Sequence, residues 1–197
     1  MPAHARIIQQ ETLPVKALCF ASAYRLTPVR ELPMICSMPL SVIFQRLVDL
    51  ERVAAGFYRL AARNAGTVGS SWAQRFEQME AEEYLHQRQI EMTRDLARAA
   101  EGAVVEISGG IEGLETLIGM IRSRIGRMEA SLMERIDPLQ LAREALEMER
   151  GMEARHAGLC LEIRDPGLRK LFENLQRGDS EHLERLERQI RESEASL

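Results

Sequence analysis

Two short stretches place a carboxylate three residues before an imidazole: Glu83 and His86 in "EEYLH", Asp179 and His182 in "DSEH". On a helix, residues at i and i+3 share a face, so each pair can reach one ligand. A further carboxylate precedes each pair. Glu51 lies 32 positions before Glu83, and Glu149 lies 30 before Asp179. All six groups fall in stripes that are otherwise apolar. A buried carboxylate without a partner is costly or neutralises itself. Four carboxylates and two neutral imidazoles carry the charge that two divalent cations balance. Carboxylate and imidazole donors suit iron, with manganese as the second choice, better than a soft thiolate-seeking metal.

Four helices must position these groups. The periodicity predicts helices over 41–64, from Ser70 or Ser71 to about Ala100, from Asp137-Pro138, and from Asp165-Pro166 to the C-terminal end. Ser41 reads as an N-cap. The Asp-Pro steps pair a cap residue with proline at the first helical position. Gly66 and Gly69 end the first helix. Gly102 ends the second, and "GAVVEISGG" reads as a loop. Read at alternating steps of three and four, the inward stripes are Leu47, Glu51, Ala54, Tyr58 and Trp72, Phe76, Met79, Glu83, His86, Ile90 in the first half. Those of the second half are Ala145, Glu149, Met152, His156 and Phe172, Leu175, Asp179, His182, Leu186. Short turns make each half an antiparallel hairpin. The stretch 102–136 is long enough to cross between them, with an amphipathic segment from Glu112 to Ile136. The expected fold is all-α: a four-helix bundle with one long helical crossover.

The halves repeat. Laying 47–58 on 145–156 puts Glu51 on Glu149, Arg52 on Arg150 and Tyr58 on His156. Laying 76–86 on 172–182 puts Phe76 on Phe172, Glu83 on Asp179 and His86 on His182. A pseudo-twofold arrangement brings the six groups together. Glu from two helices and Glu-x-x-His from the other two is the di-iron carboxylate pattern. Over 41–195 the chain resembles the ferritin-like superfamily, most closely the di-iron domain of the rubrerythrin family. The resemblance implies a non-haem di-iron centre with Glu51, Glu83, His86, Glu149, Asp179 and His182 as ligands. It implies an oxidoreductase that reduces peroxide or dioxygen in oxidative-stress defence. Three departures qualify the match. Asp179 is one methylene shorter than the usual glutamate. Met152 stands where rubrerythrins carry an extra glutamate. No rubredoxin-like iron site is present, so electrons must come from a separate donor protein. Ferritin-like iron oxidation or storage is the alternative, as is a helical interaction protein with a vestigial metal site.

Around the six, Tyr58 reads either as a hydrogen-bond partner of a ligand or as a core aromatic. His156 reads as a polar neighbour of the site in preference to an additional ligand. Glu82 points about 100° away from Glu83, towards solvent or a neighbour. Arg52 and Arg150 read as surface residues.

The composition agrees with this class. The 197 residues are 45% hydrophobic, 28% charged and only 5% aromatic, a helix-favouring balance, with net charge −4. No basic patch points to nucleic acid, and no apolar run approaches the ~20 residues of a membrane span. Cys19, Cys36 and Cys160 form no CxxC pair and fit a reducing cytoplasm. Residues 1–40 are weakly periodic and proline-bearing, and read as a disordered extension. A homodimer or higher homo-oligomer is expected.

Overall fold

Five helices and one short ribbon make up the described part of the chain. The computed structural model describes residues 35–66, 70–98, 104–108, 111–130, 136–162 and 165–196. In order they form β1 (Ile35–Pro39), α1 (Leu40–Asn64), α2 (Ser71–Arg98), β2 (Val104–Ser108), α3 (Glu112–Ala130), α4 (Pro138–Glu162) and α5 (Pro166–Glu194).

The helix starts follow from local chemistry. Ser70 Oγ accepts from Ala73 N at 3.1 Å, Asp137 Oδ1 from Leu139 N at 3.1 Å and Asp165 Oδ1 from Leu168 N at 2.8 Å. Each side chain satisfies an orphan donor of a first turn. Helix α1 differs from expectation. It begins at Leu40, not at a Ser41 cap, and Pro39 stands at its cap without a side-chain bond. The reason is that β1 runs directly into it. Its other end stops at Gly66, whose φ of 106° is open to glycine without strain.

The ribbon corrects two expectations. Residues 35–39, assigned to a disordered extension, form β1. "GAVVEISGG", assigned to a loop, contains β2. The two pair antiparallel, Ile35 with Ser108 through Pro39 with Val104. Short β-branched runs give little periodic signal until a partner strand supplies their backbone bonds. The rest of the extension, 1–34, lies outside the described residues, as do 131–135 at the end of the crossover.

Contacts between named residues show how the helices run. Tyr58 stacks on Phe76, and Glu51 meets His86, so α2 returns along α1. Arg143 pairs with Glu194 and His156 with Asp179, so α5 returns along α4. Both hairpins are as expected. Tyr58 and Glu51 also reach Glu149 and His156, and Arg75 and Glu82 reach Gln189 and Arg185. Hence α1 is antiparallel to α4, and α2 to α5. The crossover helix α3 buries Leu114, Leu117, Ile118, Ile121 and Met128. Its contacts explain how it joins the hairpins. Arg46 of α1 pairs with Glu115 at 3.1 Å, and Arg124 donates to the Glu144 carbonyl of α4 at 2.6 Å. A side chain at Gly151 of α4 would meet Leu117 at 2.9 Å, so the bare backbone there lets α3 approach.

The core is filled by Phe44, Leu47, Phe57, Tyr58, Phe76, Met79, Ile90, Met148, Met152, Phe172, Leu175 and Leu186, all fully buried. Each such side chain contributes about 1.5–3 kcal/mol by leaving water. That burial is what holds polar groups in the same stripes out of solvent. Among the described residues, no helix is long and apolar enough to cross a membrane.

Candidate metal centre

Midway along the four long helices the apolar stripes are interrupted together. Glu51 on α1, Glu83 on α2, Glu149 and His156 on α4, and Asp179 and His182 on α5 are all buried. His86 of α2 is nearly so, its side chain 12% exposed. Two groups of ligand atoms form among them, each with its atoms within 4.8 Å of one another: Glu51, Glu83 and His86, and Glu83, Glu149 and His182. Glu83 belongs to both. Its Oε2 lies 3.1 Å from His86 Nδ1 and its Oε1 lies 3.1 Å from His182 Nδ1. His86 Nδ1 is 3.7 Å from Glu51 Oε2, and His182 Nδ1 is 3.3 Å from Glu149 Oε2.

These spacings fit metal ions. Two donors each about 2.1 Å from one ion lie roughly 3.0–3.4 Å apart, depending on the coordination angle. Both Glu51 oxygens and Glu83 Oε1 are buried without a hydrogen-bond donor. Imidazole nitrogens of His86, His156 and His182 lie 3.7, 3.3 and 3.1 Å from these oxygens, so their charge is met by ion pairs where a cation could take its place. The donor set of oxygens and imidazole nitrogens suits iron or manganese.

Asp179 is placed differently from the other five expected ligands. Its Oδ2 lies 2.6 Å from His156 Nδ1, and it falls outside both groups. His156 in turn directs Nε2 at Glu51 Oε1, 3.3 Å away. The shorter aspartate is thus held by an imidazole from α4, while its Oδ1 stays unpartnered. His156 is a polar neighbour of the site, as expected, linking Asp179 to Glu51.

Tyr58 donates its hydroxyl to Glu149 Oε1 across the α1–α4 seam. Burial, then the Glu149 and Glu83 charges, raise its pKa well above the usual value, so it stays a neutral donor. Tyr58→Phe would leave Glu149 Oε1 buried without a donor. We expect this to lower the stability of the metal-free protein by about 1–3 kcal/mol in chemical denaturation.

The carboxylates around the imidazoles favour their protonated form. Burial alone would depress His86, but bonds to Glu51 and Glu83 raise it to about 11. Asp179 and Glu51 likewise outweigh burial at His156 and raise it to about 10. His182 is raised by Glu149, Glu82 and Glu83 against the same burial. Glu51 responds in the opposite sense: burial opposes ionisation, yet His156 and His86 lower it to about 2. Burial raises Glu149 and Asp179.

Three further residues join the site. Glu82 faces a neighbour, not water: its Oε2 lies 2.7 Å from His182 Nε2, and Arg185 donates through Nη1 to its Oε1 at 2.8 Å. Gly178 lies within α5, just before Asp179. A Cβ there would lie 2.6 Å from His86 Nε2, so the His86 ring rests on the bare backbone of α5. The only signal for Glu82 and Gly178 was that they fall on each other when the halves are aligned. Arg185 sits three residues beyond His182. Arg52 and Arg150 lie at the surface, paired with Asp49 and with Glu147 and Glu187, as expected.

No protein-family model, curated protein or solved structure matches the chain.

Proposed function

We propose that the long helices form a ferritin-like four-helix bundle whose core holds two metal ions. Glu51, Glu83 and His86 would hold one, and Glu83, Glu149 and His182 the other. The observation that carries this reading is that Glu83 belongs to both groups, joining Glu51 and His86 of its own half to Glu149 and His182 of the other. The particular function we infer is that of a non-haem di-iron oxidoreductase of the rubrerythrin type. It reduces peroxide or dioxygen in oxidative-stress defence, in the cytoplasm, as a homodimer or higher homo-oligomer.

Two ferrous ions held there would supply the pair of electrons that reduces a peroxide bond. A separate donor protein restores those electrons. The chain's own groups prepare the site. Tyr58 occupies Glu149 Oε1, which leaves Oε2 for the site beside His182 Nδ1. Glu82 holds the far nitrogen of His182, which aims Nδ1 inward. Full burial of Glu51, Glu83 and Glu149 keeps water from their carboxylates.

Anaerobic reconstitution with ferrous iron followed by stopped-flow mixing with peroxide tests the activity. Rapid oxidation, and turnover with a reductant, is the expected result. A di-ferrous protein inert to both peroxide and dioxygen would refute it. Native mass separates it from storage, because a large symmetric shell would favour iron storage instead.

A further inference from the structure

We infer that the two metal positions are inequivalent: the His182 position keeps its ion, and the His86 position exchanges its ion with solvent. This rests on the two-metal reading above and adds to it.

The internal repeat puts Glu82 and Gly178 at equivalent places, each just before the carboxylate of its motif. In the structure each lies against the Nε2 of the other half's histidine. Glu82 Oε2 is 2.7 Å from His182 Nε2, and a Cβ on Gly178 would be 2.6 Å from His86 Nε2. One half therefore supplies a carboxylate brace, and the other supplies no side chain at all. The brace is itself anchored, because Arg185 grips both Glu82 oxygens.

The consequences follow from ligand chemistry. A carboxylate on the far nitrogen fixes the tautomer and raises the basicity of the coordinating one, and its removal costs about 10–100-fold in metal affinity. His182 has this support, and its side chain is 1% exposed. Among the described residues, His86 pairs through Nδ1 with Glu51 and Glu83, and its side chain is 12% exposed. Glu51, the carboxylate unique to the His86 position, is also shared with His156 at 3.3 Å, so an ion there competes for it. Glu149, its counterpart, is oriented by Tyr58 on Oε1, and its Oε2 faces His182 Nδ1, a ligand of the same position, at 3.3 Å. Tight holding on one side and exposure with competition on the other make a permanent ion and a labile one.

The test is the release of ferrous iron from the anaerobically loaded protein to an excess of a ferrous chelator. Wild type should release its two ions in two phases with rates at least roughly 10-fold apart. Glu82→Gln should accelerate the slow phase by about 10–100-fold and leave the fast phase unchanged. Gly178→Ala should displace the His86 ring and abolish or accelerate the fast phase alone. Alanine favours helix over glycine, so an unchanged thermal melt would rule out misfolding as the cause. A single phase in wild type, or equal acceleration of both phases by Glu82→Gln, would overturn the inequivalence and leave two-metal binding standing. Failure of wild type to retain any iron would overturn both.

Discussion

Glu83→Ala protein should retain no stoichiometric iron after anaerobic reconstitution and desalting, whereas Glu149→Ala should keep the ion held by Glu51, Glu83 and His86. Glu83 is the one residue in both ligand groups. Its two oxygens each lie 3.1 Å from a different histidine. Removing it leaves each ion a single carboxylate and a single imidazole. The same change strips one acceptor from each of two buried, protonated imidazoles. Breaking a buried pair in this way costs about 3–5 kcal/mol. The metal-free variant should therefore unfold at a lower denaturant concentration as well. Metal analysis and chemical denaturation read the two effects separately. Retention of two ions by Glu83→Ala would remove the basis of the two-metal reading.

The second large effect is an opposite pH dependence of the metal-free and metal-loaded forms. In the metal-free protein His156 and His86 are raised to about 10 and about 11, and His182 is raised too. The folded state then holds protons that the unfolded chain releases above about pH 6.5. Stability from these groups is complete below that pH and is lost as pH climbs towards 10 and 11. Glu51, lowered to about 2, acts in the other direction: its contribution is present above about 4.5 and is lost as pH falls towards 2. Glu149 and Asp179 are raised, so they favour folding only in acid. The metal-free form should be most stable at mildly acidic pH and weaken steadily through pH 8 and 9.5. A bound ion takes the Nδ1 lone pairs of His86 and His182, so protons compete with it. The manganese-loaded form should gain stability from pH 6 to pH 8, with proton release on loading measurable by calorimetry. Parallel melting curves for the two forms across this range would contradict the assignment of His86 and His182 as ligands.

Much of the architecture was legible because it is written as periodicity. Stripes at steps of three and four, interrupted by glycine and by two Asp-Pro starts, marked both hairpins. The internal repeat brought Glu51, Glu83, His86, Glu149 and His182 to one level of the bundle, and the structure places them together. The ribbon was not legible. A five-residue strand such as Ile35–Pro39 has meaning only through its partner, Val104–Ser108, nearly 70 residues away.

The sequence alone determined which residues face inward, because helical phase is a local property of spacing. It also determined that carboxylates and imidazoles interrupt the inward stripes of all four long helices. Only the tertiary structure decided how those charges pair. Asp179 turned to His156 because α5 returns along α4 and brings the two side chains within 2.6 Å. Glu82, which helical phase left open to solvent or a neighbour, became the brace of His182 because α5 runs antiparallel beside α2. Gly178 acquired its purpose only when the ring of His86 was seen to rest on it. Partnership across helices depends on crossing geometry and side-chain reach, and neither is encoded in the spacing along one chain segment.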